Sequence, residues 1–129
     1  MVDAATPRPK TILIVEDNEL NMKLWNDILE AQGYTLFKTA LGLEAVRIAS
    51  DNQPDLVLLD IQLPDISGFE VARRLKADVA TQSIPILAVT AFAMRGDRER
   101  VLESGCDGYI AKPVNIVELL RTIETYFAP

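Results

Sequence analysis

Two four-residue runs, Ile12-Leu13-Ile14-Val15 and Leu56-Val57-Leu58-Leu59, are apolar at every position, so neither can turn one face to water. Strands buried on both faces belong to parallel sheets covered by helices, whereas half-exposed strands alternate apolar and polar residues. Around these two runs, short apolar segments alternate with helical patterns. Strands are predicted at Thr11–Val15, Thr35–Thr39, Leu56–Asp60, Ile86–Thr90 and Gly108–Ala111. Helices are predicted over about 19–32, 43–51, 68–76, 94–104 and 116–127. Five βα units with short connections imply an α/β domain whose parallel sheet lies between two helical layers. Leu36-Phe37-Lys38-Thr39 is more polar than the other strands and suits an edge. At 129 residues the chain holds one domain, read as 11–128, behind a flexible tail over 1–10 that carries Pro7 and Pro9.

Helical stripes follow from spacing. Leu20, Leu24, Ile28 and Ala31 make an apolar face on the first helix, and Ile116, Leu120, Ile123 and Phe127 make one on the last; both are expected to face the core. Met22, Trp25 and Leu29 widen the first arc; a wide arc can simply be buried, whereas a partly exposed Trp25 beside Met22 would suit a docking surface. Gly33 stands where a helix C-terminus needs a glycine, and Asn115 can cap the last helix, with Glu118 three residues on. The fourth helix is different. Met94-Arg95-Gly96-Asp97-Arg98-Glu99-Arg100 has almost nothing to bury, only Val101 and Leu102 look anchored, and Gly96 costs about 1 kcal/mol against alanine. It is expected to be the least stable helix, a property that suits a switch.

Chemistry collects at the strand ends. Glu16-Asp17 follows the first strand, Asp60 ends the third, Thr90 ends the fourth and Lys112 follows the fifth. In open parallel sheets ligands bind beyond the carboxyl ends of the strands. Taken singly, Asp60 could initiate a turn, and Glu16-Asp17 could serve a helix start with Asp17 or Asn18 as N-cap. Together, with the first and third strands as neighbours, the three carboxylates would repel one another unless a divalent cation bound, and hard oxygen ligands favour Mg²⁺. Lys112 adds a movable positive charge and Thr90 a hydroxyl. This set fits phosphoryl transfer to the Asp60 carboxylate.

Composition narrows the chemistry further. The chain has no histidine, which removes Ser-His-Asp and Cys-His catalysis, the common zinc sites and any phosphohistidine of its own. A phosphohistidine donor would therefore have to be a partner protein. A net charge of −6 argues against a nucleic-acid surface. The single Cys106 is read as an inert small residue at the end of the fourth helix and, with no apolar stretch near the roughly 20 residues a span needs, suggests a cytoplasmic setting without membrane insertion.

Four separated segments in order carry a resemblance: Ile14-Val15-Glu16-Asp17-Asn18, then Leu59-Asp60-Ile61-Gln62-Leu63-Pro64-Asp65-Ile66-Ser67-Gly68, then Val89-Thr90-Ala91, then Ala111-Lys112-Pro113. They resemble the receiver domain of bacterial response regulators, from about Thr11 to Phe127. The resemblance implies a doubly wound, flavodoxin-like sheet in the order 2-1-3-4-5. It implies Asp60 as phosphoacceptor, and Asp17, Asp60 and the Gln62 backbone carbonyl as Mg²⁺ ligands, with Glu16 acting through water. Thr90 and Lys112 would sense the phosphate, Tyr109 would follow Thr90 inward, and the Lys112-Pro113 bond would be cis. Gln62 and Phe92 would influence how fast water reaches the acyl phosphate, with bulky Phe92 screening it.

Residues 17–24 and 90–94 are most similar to single-domain members that govern cell-cycle progression and polarity. The expected role is a monomeric phosphorelay acceptor rather than an enzyme. Its partners would be a sensor histidine kinase or phosphotransfer protein docking near the first helix, and a target on the face of helix 4, strand 5 and helix 5. A chemotaxis-type or relay-intermediate receiver is the alternative within the family. An aspartyl-phosphate phosphatase of the haloacid dehalogenase type needs a second aspartate two residues after the nucleophile, where this chain has Gln62. A flavin carrier needs a phosphate-cradling loop where Glu16-Asp17 would repel phosphate.

Overall fold

The computed structural model describes residues 9–91 and 95–128, with side chains in the second stretch from Arg98 onward. Most of the expected tail, and Phe92 with its screening role, lie outside the described residues. The elements run β1 (Thr11–Val15), α1 (Glu19–Ala31), β2 (Thr35–Thr39), α2 (Gly42–Asn52), β3 (Leu56–Asp60), α3 (Gly68–Ala77), β4 (Ile86–Thr90), α4 (Arg95–Glu103), β5 (Gly108–Ala111) and α5 (Ile116–Phe127). The sheet order is β2-β1-β3-β4-β5, and every pairing is parallel. This is the expected doubly wound α/β fold.

Strand side chains alternate between two cores. Leu13, Val15, Val57, Leu59 and Ala88 pack with Ala45 and Ala49 of α2, Val71 and Leu75 of α3 and Val101 of α4. Ile12, Ile14, Leu56, Leu58, Leu87 and Val89 pack with Trp25 and Leu29 of α1 and Leu119 and Ile123 of α5. β1, β3 and β4 lie inside the sheet and are buried at nearly every position, while β2 at the edge is mostly not. That difference is the one their compositions dictate.

The phase of α1 corrects the sequence reading. Trp25 is 2% exposed and Leu29 is buried, whereas Leu20 is 76% and Leu24 46% exposed and Ala31 lies on the surface. Trp25 is therefore part of the core and not a docking residue. The helix carries two overlapping apolar arcs, and the arc holding its largest side chain wins because burial free energy scales with apolar area. In α5 Ile123 is buried as expected, but its buried partner is Leu119, and Ile116 faces solvent. In α4 Val101 is buried and Leu102 exposed, so the helix has a single apolar anchor among its described side chains.

Local signals set the helix ends. Asn18 and Asn115 accept the amides of Asn21 and Glu118, each at 3.0 Å, as N-caps. Gly33, just after α1, has φ +91°, which only glycine adopts without strain. α2 begins after Leu41, whose side chain offers no acceptor. Asp65, from the β3–α3 loop, supplies one instead, accepting from Gly42 N at 2.8 Å and Leu43 N at 2.9 Å. These two amides, Leu43's first, hold its carboxyl below the usual aspartate range.

Gly68 opens α3 where the chain passes directly beneath Asp60. A Cβ there would stand 2.6 Å from both the Asp60 carbonyl oxygen and Ile61 Cα. Both are backbone atoms, so no side chain can move aside. Gly68→Ala is expected to destabilise the domain by roughly 1–3 kcal/mol through forced overpacking. Urea unfolding measures this, and an unchanged midpoint would mean that the β3–α3 turn yields freely.

Candidate functional site

The sheet registers build the site. Val15 pairs with Leu59, so the residues following β1 and ending β3 stand side by side at one sheet edge. Asp60 pairs with Val89 and Thr90 with Ala111, which brings the ends of β4 and β5 to the same edge. Glu16, Asp17 and Asp60 can each offer a carboxylate oxygen such that all three lie within 4.8 Å of one another. Glu16 and Asp60 are buried and Asp17 is exposed, so the cluster has an anchored side and an open side.

Each buried carboxylate is held in place. Glu16 accepts from the Asn18 amide at 3.1 Å and from Asn21 Nδ2 at 3.2 Å. Asp60 Oδ1 accepts from the Gln62 amide at 3.0 Å, and Oδ2 accepts from Lys112 Nζ at 2.9 Å. Lys112 Nζ also lies 3.5 Å from Glu16 Oε1. Burial pushes the Glu16 carboxyl up to about 7, and its hydrogen bond with Asp60 adds to the rise. Burial pulls the Lys112 ammonium down, but its hydrogen bond to Asp60 and the two carboxylate charges outweigh that and leave it raised. Three carboxylates face one ammonium, so negative charge remains in excess. Oxygen donors only, converging from one open side, fit a hard divalent cation that keeps some of its waters.

The other expected residues fall as follows. Thr90 is buried at the end of β4, and its carbonyl accepts from Lys112 N at 2.8 Å. Tyr109, on β5, is half-buried, with the Arg98 guanidinium 5.9 Å from its ring centre. The Lys112-Pro113 peptide is cis. Gln62 is exposed, and its backbone N–H donates a hydrogen bond to Asp60. Cys106 is buried, and burial raises its thiol pKa, consistent with an inert residue.

Sequence reasoning missed the residues that hold the β3–α3 loop. Ile61 N donates to Val89 O at 3.2 Å, Gly68 N closes the loop onto Ile61 O at 2.8 Å, and Ser67 Oγ caps α3 through the Phe69 amide at 3.1 Å. Serine before glycine at a helix start was a legible N-cap signal. The Asn21 contact had a weaker signal, a polar residue one turn into a helix beginning beside the acids. Asp65 had none, because the amides it caps lie more than twenty residues away.

A second cleft, of about 490 Å³, adjoins Lys112 and is lined by Asn21, Leu24, Trp25, Lys112, Pro113 and Val114. Leu24, Pro113 and Val114 give the cleft an apolar rim beside Lys112, whose ammonium reaches Asp60, and exposed Leu20 stands one turn before Leu24 on α1. Among the described residues no helix is long and apolar enough to cross a membrane.

Comparison with known proteins gives the same picture. The family model described as the response regulator receiver domain matches residues 12–124. The chain is 52% identical over 118 residues to the polar-differentiation response regulator DivK of Brucella anthropi, covering 92% of this chain and 96% of that protein. Among solved structures, it resembles the receiver domain of a sensor histidine kinase from Pseudomonas aeruginosa, solved with a magnesium ion in its active-site cleft. That match has a TM-score of 0.87 and 35% identity, over 95% of this chain and all of the other. A CheY-like receiver domain protein from Methanospirillum hungatei matches with a TM-score of 0.84 and 31% identity, over 92% of this chain and 93% of that one.

Proposed function

Because this chain belongs to the response regulator receiver domain family, we propose that its Asp60 carboxylate accepts a phosphoryl group from a phosphohistidine on a partner protein. The observation that carries this reading is the convergence of Glu16, Asp17 and Asp60 within 4.8 Å, with Lys112 on Asp60 at 2.9 Å. Mg²⁺ would be held by Asp17, Asp60 and the Gln62 backbone carbonyl, with Glu16 acting through water. When bound it neutralises carboxylate charge and charge on the phosphoryl oxygens.

The chain's own residues do the rest. An Asp60 oxygen attacks phosphorus as the P–N bond to the donor imidazole breaks, and that nitrogen keeps the bonding pair. The equatorial oxygens carry the developing charge. Lys112 Nζ, already beside Asp60, neutralises part of it, and Thr90 at the end of β4 offers its hydroxyl to another oxygen. Drawing Thr90 toward the phosphate lets Tyr109 follow. α4, with one apolar anchor among its described side chains, is the element whose packing against β5 changes, and the α4–β5–α5 face signals through altered protein contacts. DivK relatives are named for polar differentiation, and we assign this chain to the same kind of cell-cycle and polarity control in the cytoplasm, acting as a monomer and not as an enzyme with turnover. The direct test is whether the native chain gains one phosphoryl mass from acetyl phosphate only when Mg²⁺ is present.

The partner kinase or phosphotransfer protein docks on the apolar rim. Leu20 and Leu24 are the α1 residues that replace Met22 and Trp25 in this role, because they are the ones exposed. Leu20→Asp is expected to slow transfer from the phosphorylated partner on the order of tenfold, as loss of an interface anchor does. Uptake from acetyl phosphate should stay the same, since the Leu20 side chain is exposed and has no polar atom to hold a cation or a phosphoryl oxygen. Equal slowing with both donors would mean that the substitution disturbs the site itself and that the rim is no docking surface.

A further inference from the structure

We propose that Asp65 is a positioning residue for phosphoryl acceptance: by holding the tip of the β3–α3 loop against the start of α2, it keeps the Gln62 amide on Asp60. This rests on the reading of Asp60 as acceptor and adds a residue to it. The loop of residues 61–67 leaves the buried end of β3 and is closed at its base by the Gly68 N to Ile61 O bond of 2.8 Å. Gln62 is its first exposed residue, and its amide lies 3.0 Å from Asp60 Oδ1. Asp65 stands at the far end, midway between Gln62 and Gly68. Its two oxygens each take a different amide of α2, Gly42 N at 2.8 Å and Leu43 N at 2.9 Å.

The contact is built from both sides. A Cβ on Gly42 would stand 2.7 Å from Ile66 Cγ1, so α2 leaves room there for the residue next to Asp65. Leu41, at the N-cap of α2, has the extended backbone of a capping position but no capping side chain. The helix is thus left dependent on a carboxylate from another loop. One side chain serves both ends, capping α2 and fixing the loop tip. Without it the base bond at Gly68 and the packing of Leu63 and Ile66 on the core remain, but the hydrogen bonds that fix the tip to α2 are lost, and the Gln62 amide is held less firmly on Asp60.

A merely structural role can be separated from this one, because α2 can be capped without Asp65. Asp65→Ala removes both functions. Adding Leu41→Ser supplies an acceptor at the N-cap, where Ser is strongly preferred, and restores the helix without restoring the clamp. Three quantities are measured in the full chain: thermal midpoint, hydrogen exchange of the Gln62 amide without metal, and the rate of phosphoryl uptake from acetyl phosphate with Mg²⁺. Asp65→Ala is expected to lower the midpoint, speed Gln62 exchange and slow uptake by about ten- to a hundredfold, the range for a small misplacement of reacting groups. The double variant should recover the midpoint but neither of the other two. Recovery of all three, or unchanged Gln62 exchange in Asp65→Ala, overturns the proposal. A wild type that takes up no phosphoryl group sinks the acceptor reading instead, and the Gln62 amide in the same samples still decides the clamp.

Discussion

An Asp60→Asn variant is expected to gain no phosphoryl mass when incubated with acetyl phosphate and Mg²⁺, under conditions in which the native chain gains one. The substitution is nearly isosteric. Asn retains a carbonyl oxygen for the Gln62 amide, which holds Oδ1 at 3.0 Å, so the loop keeps its anchor. It also relieves the close approach of two buried carboxylates, since the Glu16 acid that burial and Asp60 push up to about 7 loses a charged neighbour. Folding should survive for these reasons. What disappears is the nucleophile, because an amide oxygen does not form a stable acyl phosphate. Glu16 cannot substitute: its oxygens are occupied by Asn18, Asn21 and Lys112, and its side chain is fully buried. Asp17 is exposed, and among the described residues the ion pairs of Lys112 go to Asp60 and Glu16 instead. Intact mass reads the outcome. A phosphoryl adduct that persists on Asp60→Asn would move the acceptor elsewhere and overturn the assignment of roles.

The same physics explains which parts of the molecule were legible before the structure. All five strands were readable to the residue, the three inner ones because a strand buried on both faces must be apolar on both, as Leu56–Leu59 and Ile86–Val89 are. The convergence of Glu16, Asp17 and Asp60 was readable too, since parallel strands deliver their carboxyl ends to one edge. Helix phase was not. In α1 the Leu20/Leu24/Ile28 and Met22/Trp25/Leu29 arcs overlap on the helical wheel. Periodicity reveals that a stripe exists but not which of two adjacent stripes meets the sheet. Only packing decides, and it buries Trp25 while exposing Leu20. That rotation moves the proposed docking surface from the tryptophan to the leucines. Asp65 was hidden for a different reason. Its partners, the amides of Gly42 and Leu43, belong to a helix more than twenty residues earlier, and no local pattern encodes a cap supplied across the fold.

Lys112→Ala is expected to cost stability as well as transfer rate, and the two losses should respond differently to Mg²⁺. In the native site Lys112 Nζ bridges Asp60 at 2.9 Å and Glu16 at 3.5 Å, with both carboxylates buried. Removing one partner of a buried ion pair costs about 3–5 kcal/mol when the remaining charge has no escape. Here there is an escape, because Lys112 is 22% exposed and Glu16 can take a proton near neutral pH. A loss of about 2–3 kcal/mol is therefore the expectation. The sign with pH follows from the raised Lys112 pKa. Its contribution is complete below the ordinary lysine value of 10.5 and fades only as pH rises through the higher folded value, so at neutral pH the native protein has all of it. Mg²⁺ binding to the folded state should recover part of the stability by mass action, since the cation meets the same unbalanced carboxylates. It should not recover the rate. In the proposed transfer the ammonium also neutralises an oxygen of the moving group, and losing such a contact slows reaction by roughly a hundredfold or more. Urea unfolding with and without Mg²⁺, alongside uptake from acetyl phosphate, separates the two effects. If Lys112→Ala unfolds at the native midpoint without Mg²⁺, the lysine balances no buried charge and the electrostatic account of the site is wrong.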